Sequence, residues 1–240
     1  MQYAICPSNY QAYTNPYLEA TPILDKDHVL IAHIAYELLT EHPEGGRNFL
    51  KAAHQWISQY IRPVYTLNER QPASTTLARG EGSCSQRMAV LETIARAVGI
   101  GTRSRALWID GHFWYPRFQH IRKLMPQKLL LVWPEFFVEG RWIGFEELYG
   151  SLYDLAERGG GSFTNATSET LFDAVSRTAI DWYGRTRFCG TGSTCNLSAF
   201  VVADDGIFPS RDAAFDHYGL LLHRLDGCLF ELIFGGCKVA

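Results

Sequence analysis

The spacing of apolar residues along the chain predicts helices in the first hundred residues and strands after them. Apolar side chains recur every three or four residues over residues 25–40 and 48–61, as in amphipathic helices. The same period begins again at Cys84 and continues until Gly99, where a glycine is typical of a helix end. A glycine-rich segment, residues 79–82, leads directly into this third helix.

After the third helix the pattern changes to that of strands. Residues 102–108 alternate between apolar and polar, and residues 129–138 are almost entirely apolar. Glu139-Gly140 predicts a hairpin turn into a returning strand over residues 141–147. Helices followed by a small antiparallel sheet define an α+β fold.

The remaining segments carry weaker periodicity. Residues 110–111 (Asp-Gly) mark a turn or strand end. We further predict a polar loop over 65–77, an extended segment over 112–118, a loop or linker over 151–170 containing Gly159–Gly161, a short helix over 170–180, a strand over 198–202, a turn over 204–206, a helix over 211–218 capped by Ser210, and a final strand or short helix over 220–239. We divide the chain into a core, residues 1–150, and an extension, residues 151–240, packed on it in one compact domain.

Composition narrows the class of protein. The chain has 240 residues and a net charge of −3, which gives no reason to expect a nucleic acid or an anionic membrane surface as partner. We find no apolar run long enough to span a bilayer and no signal-peptide pattern in residues 1–10. The six cysteines lack the C-x-x-C spacing of metal sites. We therefore expect a cytoplasmic protein without a metal or other cofactor.

The start of the third helix is the strongest candidate for chemistry. A thiol at a helix N-terminus lies beside unpaired backbone N–H groups and the positive end of the helix dipole, which favour the nucleophilic thiolate. For an arbitrary cysteine, a small buried apolar side chain is the commoner role. The glycines before Cys84 and the sequence after it favour a nucleophile.

Four segments, in chain order, resemble the transglutaminase-like superfamily, whose core is papain-like. They are YLEATPILD at residues 17–25, LARGEGSC at 77–84, ARAVGIGTR at 95–103 and LVWPEFFVEGRWIGFE at 131–146. The resemblance implies that a nucleophile helix beginning at Cys84 packs on a small antiparallel sheet.

The last of these segments departs from the family at two positions. The family's catalytic histidine falls on Leu131, and its catalytic aspartate falls on Glu146. Leucine cannot accept a proton, so the usual triad cannot form from these positions. Either the domain is catalytically silent, or the base comes from another part of the chain.

Asp110 and His112 are the candidates for a relocated base. If residues 102–118 pair with residues 129–138, the residues around 112–116 would lie beside Leu131. Side chains two residues apart share one face of an extended backbone, so Asp110 could orient the imidazole. The alternative is a turn that leaves His112 exposed, with His120 as the reserve base.

An oxyanion hole is expected from the Cys84 backbone N–H and one further donor. Gln86 and the indole of Trp133 are the candidates for that donor. The aromatic residues of the predicted strands suggest an apolar channel suited to an acyl chain.

Among transglutaminase-like proteins with a displaced triad, the chain resembles the Dieckmann cyclases of bacterial tetramate and pyridone biosynthesis. This resemblance rests on the spacing of Cys84 and Asp110, the nearby histidine and the lost family histidine. It implies transfer of a β-ketoacyl-aminoacyl chain from a carrier protein's phosphopantetheine thioester to Cys84, followed by ring closure. The alternatives are a transglutaminase-like amidase or acyltransferase and a silent binding domain.

Overall fold

The computed structural model describes residues 15–119, 122, 125–158, 163–186, 196–219 and 237. Three predictions lie outside the described residues: the reserve base His120, the glycine run Gly159–Gly161 and nearly all of the final segment, residues 220–239. In the described part of the chain, no helix combines the length and the apolarity needed to cross a membrane.

The order of elements agrees with helices first and a sheet afterwards. The helices are α1 (Val29–Glu41), α2 (Gly46–Tyr60), α3 (Ala73–Arg79), α4 (Cys84–Ala97), α5 (Leu152–Glu157), α6 (Leu171–Ala174) and α7 (Arg211–Tyr218). The strands are β1 (Arg62–Pro63), β2 (Glu81–Gly82), β3 (Thr102–Asp110), β4 (Lys128–Val138), β5 (Arg141–Gly144) and β6 (Val201–Phe208). Short 3₁₀ helices follow β3 and β5 and precede β6.

The main sheet has four strands in the order β5-β4-β3-β6, and all neighbouring strands are antiparallel. In the β3–β4 pair, Leu107 lies opposite Leu131, and Asp110 lies opposite Lys128 at the end of the ladder. The short strands β1 and β2 pair in parallel next to the start of α4. The fold is α+β, as predicted, with a buried helix packed against an antiparallel sheet.

Helix α4 is at the centre of the core. It contacts α1, α2 and α3 and also packs on β4. Every residue from Gln86 to Arg96 is buried, so the helix has no solvent-facing side over these three turns. Its polar residues therefore need partners inside the protein, because an unpaired buried charge is costly.

The chain beyond residue 150 supplies one of these partners. The Nε of Arg211, in α7, donates a 2.5 Å hydrogen bond to Oε1 of Glu92, and both side chains are fully buried. Arg211 also donates to the hydroxyl of Ser85 at 2.8 Å. Strand β6 pairs with β3, so this part of the chain contributes to the same sheet as residues 102–144.

Several local predictions were wrong. A side-chain hydrogen bond and a shift of strand register, neither of which periodicity reveals, explain two of them. The predicted extended segment 112–118 begins as a 3₁₀ helix, because Asp110 accepts a hydrogen bond from the His112 backbone N–H and turns the chain. The predicted turn at 204–206 lies inside β6, where shifts in the β3–β6 register accommodate Gly206.

The predicted loop regions also contain short helices. Helix α3 occupies the end of the predicted loop 65–77, and α5 lies within the predicted linker 151–170. Both are seven residues or shorter, too short for a helical period to be visible in the sequence. The predicted helix 170–180 is regular only over Leu171–Ala174.

Candidate functional site

Cys84 is the first residue of α4, as predicted, and a capping box fixes its position. The Gln86 backbone N–H donates to Ser83 Oγ at 3.2 Å, and the Ser83 N–H donates to Gln86 Oε1 at 3.0 Å. Gly82 is needed just before the cap, since a Cβ there would lie 2.7 Å from the methyl group of Thr76. The segment before the helix is therefore closely packed, which holds the cysteine in one place.

The two side chains predicted to complete an oxyanion hole are engaged elsewhere. The side-chain Nε2 of Gln86 donates to the Asn68 backbone carbonyl at 2.9 Å, which connects α4 to the loop before α3. The indole of Trp133 is buried and donates to Oε2 of Glu146 at 2.5 Å. The predicted oxyanion roles of Gln86 and Trp133 are corrected accordingly, because both donors already have protein acceptors.

Cys84 lines a cavity of about 170 Å³, here called the Cys84 cavity. Most of its wall is apolar, including Val64, Leu67, Phe113, Trp114, Leu129 and Leu131. Arg117, Glu69, Asn165 and Thr170 are polar residues of the same wall. An apolar cavity with a few polar groups beside a thiol suits a ligand that carries a hydrocarbon chain.

The thiol of Cys84 is not activated in this state. Burial raises its pKa to about 11, although the Arg87 guanidinium, the Phe172 backbone and the Thr170 hydroxyl all lower it. The expectation that the helix N-terminus would lower the pKa of Cys84 is therefore wrong, since desolvation outweighs the groups that stabilise the thiolate. A base or a change in solvation is needed before Cys84 can attack.

A network that the sequence analysis missed lies directly behind the cysteine. Arg87, one turn after Cys84, donates to both carboxylate oxygens of Asp173, at 2.7 and 3.0 Å. The Thr170 hydroxyl donates to the same carboxylate at 2.7 Å, and the guanidinium lies 4.4 Å from the centre of the Phe172 ring. The network joins α4 to α6 and places an ion pair near the thiol, in which Arg87 lowers the pKa of Cys84 and Asp173 raises it.

His54 is a second group that the sequence analysis missed. It is buried, its Nε2 lies 2.6 Å from the Phe172 carbonyl, and its Nδ1 lies 2.8 Å from the Tyr149 hydroxyl. A carbonyl only accepts, so Nε2 carries the proton and Nδ1 accepts from Tyr149. Burial lowers the pKa of His54 to about 4. This histidine is therefore neutral with both nitrogens occupied, and it does not act as the base.

Of the two positions at which the sequence departs from the family pattern, Leu131 lines the Cys84 cavity and Glu146 does not. Glu146 is buried, and burial raises its pKa to about 7 despite the hydrogen bond from Trp133. Neither position supplies a base in contact with the thiol.

Asp110 and His112 form the predicted pair, but not at the predicted place. His112 Nδ1 lies 2.5 Å from Asp110 Oδ1. The imidazole is 67% exposed and is not among the groups that line the Cys84 cavity. The predicted pairing of residues 112–116 beside Leu131 is wrong, because β3 ends at Asp110 and Leu131 lies opposite Leu107.

The turn that carries His112 is nevertheless part of the cavity wall. Phe113 and Trp114, the next two residues, line the Cys84 cavity. Only glycine fits at position 111, since a Cβ there would lie 2.0 Å from the Pro126 carbonyl oxygen. The Gly111 backbone N–H donates to the Gln127 carbonyl at 2.8 Å. The turn is therefore fixed in position, although His112 itself is exposed and does not line the cavity.

Comparison with known proteins gives one family match. Residues 33–146 match the family described as the transglutaminase-like superfamily, and this span contains Cys84, Leu131 and Glu146. The chain is also similar to a crystal structure of a proposed cysteine protease from Cytophaga hutchinsonii, with 18% identity and a TM-score of 0.41. That similarity covers 54% of this chain and 39% of the other one. No curated protein matches the chain.

Proposed function

Because residues 33–146 are a transglutaminase-like core, we propose that this protein is a cysteine-dependent acyl off-loading enzyme. In this proposal, Cys84 accepts a β-ketoacyl-aminoacyl chain from a carrier-protein thioester. A Dieckmann condensation then closes a tetramate-type ring and releases the product. The observation that carries the proposal is that Cys84 opens into a largely apolar cavity.

The general class of enzyme, one with a cysteine nucleophile, is supported by the fold. A transglutaminase-like core with a cysteine at the start of its buried helix is the framework of a cysteine-nucleophile enzyme. Thiol nucleophiles of this kind transfer acyl groups through a thioester.

The shape and polarity of the site support an acyl chain over a polar peptide. A peptide needs hydrogen-bond partners for its backbone groups, because burying them unpaired is costly. Leu129 and Leu131 of β4 line the Cys84 cavity, as do Phe113, Trp114 and Phe118 from the segment after β3. These side chains offer an acyl chain apolar contact.

The proposed reaction needs no oxidant and consumes no water. The Cys84 thiol loses its proton and attacks the carrier thioester, the bond between the acyl carbon and the carrier sulfur breaks, and the carrier thiol leaves with a proton. A base then removes a proton from the carbon between two carbonyls, which is acidic enough for histidine near neutral pH. This carbanion attacks the Cys84 thioester, so that a carbon–carbon bond forms and the carbon–sulfur bond breaks. The thiolate of Cys84 takes back the proton from the base.

In this proposal, His112 is the base that acts on the acyl chain. In the second step the base must reach a carbon of the acyl chain, which extends away from the sulfur. His112 is exposed next to Phe113, which lines the cavity, and Asp110 Oδ1 lies 2.5 Å from its Nδ1. If Nδ1 carries the proton toward Asp110, Nε2 is the nitrogen that accepts one from the substrate.

The product of a defined thioester tests the proposal. A 3-oxoacyl-aminoacyl N-acetylcysteamine thioester is incubated with the protein, and the released compounds are identified by mass spectrometry. A cyclised product that requires Cys84 supports the proposal, and Cys237→Ser is the matched control because Cys237 is an exposed free thiol. Release of the free acid, or an amide formed with an added amine, indicates the amidase or acyltransferase alternative. The silent binding domain predicts no turnover and no adduct of Cys84.

A further inference from the structure

Arg117 contributes a cationic group to the wall of the Cys84 cavity. Its Nε donates to Oδ1 of Asn165 at 2.9 Å, and its Nη2 donates to the Glu169 carbonyl at 2.5 Å. These two bonds fix the plane of the guanidinium. Arg117 is therefore held in one orientation in the same cavity as the nucleophile.

The third nitrogen of this guanidinium has no acceptor among the residues that the structure describes. Arg117 Nη1 is buried and makes no hydrogen bond to any described residue. No ion pair of Arg117 with a described carboxylate is present either, since the Glu169 carboxylate pairs with Arg177. A buried donor without an acceptor is costly, and more so when it is charged. An acceptor from a ligand would remove that cost.

Asn165 is built into the wall in a way that supports this orientation. It is 6% exposed, its backbone has a φ of 49°, and its amide nitrogen donates to the Phe113 carbonyl at 2.7 Å. Asparagine is one of the few residues that tolerate the left-handed region, and strained residues are retained where a site requires them. The side chain of Asn165 thus connects the guanidinium of Arg117 to the apolar wall at Phe113.

We propose that Arg117 binds an anionic or strongly polarised oxygen on a ligand whose hydrocarbon chain occupies the Cys84 cavity. A guanidinium donates charge-assisted hydrogen bonds to carboxylate and enolate oxygens, which are stronger than those to neutral acceptors. The identity of the hydrocarbon chain rests on the proposed function. Under that function, this oxygen is the 3-oxo group of the acyl chain, which becomes an enolate when the base removes a proton. Arg117 then selects 3-oxo chains over unsubstituted ones and stabilises the charge that develops.

A binding experiment without the nucleophile tests the proposal separately from catalysis. Octanoate and octanamide have equal chain lengths but differ in the charge of the oxygen group, and their binding to the Cys84→Ala protein is compared by calorimetry. We expect octanoate to bind about tenfold more tightly than octanamide. Equal affinities, or binding of neither compound, would overturn the proposal.

Variants of Arg117 test whether this residue causes the preference for octanoate over octanamide. Arg117→Gln in the Cys84→Ala background is expected to abolish the preference for octanoate, whereas Arg117→Lys retains part of it. Arg141→Gln is the matched control, because Arg141 is 55% exposed on β5 and pairs with Glu147. A preference that survives in Arg117→Gln would contradict the assignment. If Arg117→Gln does not fold, Arg117→Lys decides, because an undiminished preference for octanoate in that variant would contradict the assignment.

The outcomes separate this inference from the proposed function. If Cys84 accepts no acyl group but Cys84→Ala prefers octanoate, the enzyme proposal fails and the oxygen site remains. If Cys84 is acylated equally fast by octanoyl and 3-oxooctanoyl thioesters, the enzyme proposal remains. In that case the selective role of Arg117 is wrong.

Discussion

The indole Nε1 of Trp133 donates a 2.5 Å hydrogen bond to Oε2 of Glu146, and both side chains are buried. The sequence resemblance places the family's catalytic aspartate at Glu146, yet the partner of Glu146 in this structure is an indole rather than a histidine. Burial raises the pKa of Glu146 from its ordinary 4.5 to about 7. The folded state therefore favours the protonated form. The stability that this contributes is complete below pH 4.5 and is lost as the pH rises through 7.

Glu146→Gln tests this assignment. The glutamine carbonyl can accept from Trp133 but does not ionise, so the variant avoids the cost of a buried carboxylate. The variant's free energy of unfolding, relative to that of the parent, should be about 2 kcal/mol higher at pH 8 than at pH 5. Denaturant unfolding at the two pH values measures this gain. A difference between parent and variant that does not change with pH would contradict it.

His54 has the opposite pH dependence. Its pKa falls from 6.5 to about 4 on folding, so its contribution to stability is present above pH 6.5 and is lost as the pH falls through 4. In His54→Gln, the amide can still bond to the Phe172 carbonyl and the Tyr149 hydroxyl. When the pH falls from 7 to 4, we expect the free energy of unfolding of the parent to decrease by about 3 kcal/mol more than that of this variant. His33→Gln is the control, since His33 is 63% exposed on α1, and it should follow the parent.

The pKa of Cys84 predicts slow alkylation at neutral pH. Only the thiolate reacts, and a pKa of about 11 leaves the thiol protonated near pH 7. The rate of iodoacetamide modification of the Cys84 peptide should rise about tenfold per pH unit from 7 to 10. Arg87→Met should slow it further, because Arg87 lowers this pKa. Peptide mass spectrometry measures the rate, and a plateau near pH 8 would be inconsistent with a buried thiol.

His112→Ala should separate the two chemical steps. We expect this variant to acylate Cys84 slowly but to form little cyclised product, because the base for the carbon acid is missing. Asp110→Asn should have a smaller effect of the same kind, since it removes the group that orients the imidazole. Product formation with a 3-oxoacyl-aminoacyl thioester, measured for both variants, checks this. Full activity in His112→Ala would mean that the base is another residue, with His120 as the next candidate.

The position of the nucleophile could be predicted from sequence because its signals are local. The glycines before Cys84, the apolar period after it and the Gly99 end describe α4 almost to the residue. The hairpin of β4 and β5 was equally visible, because an apolar run and a Glu-Gly turn are short-range patterns.

The surroundings of the nucleophile could not be predicted because they depend on long-range contacts. Arg87 and Asp173 are 86 residues apart, and no local pattern pairs them. His54 is one polar residue on the buried face of α2, where periodicity alone predicts only packing. The exposure of His112 depends on where β3 ends, and a two-residue turn signal does not fix a strand register.

Acylation of Cys84 is the most direct test of the central claim that this thiol carries an acyl chain. The parent protein, Cys84→Ala and Cys237→Ser are incubated with octanoyl and 3-oxooctanoyl N-acetylcysteamine thioesters, and the intact masses are measured. The account predicts a gain of one acyl group in the parent and in Cys237→Ser, and none in Cys84→Ala. An unmodified parent, or an adduct that persists without Cys84, would contradict it.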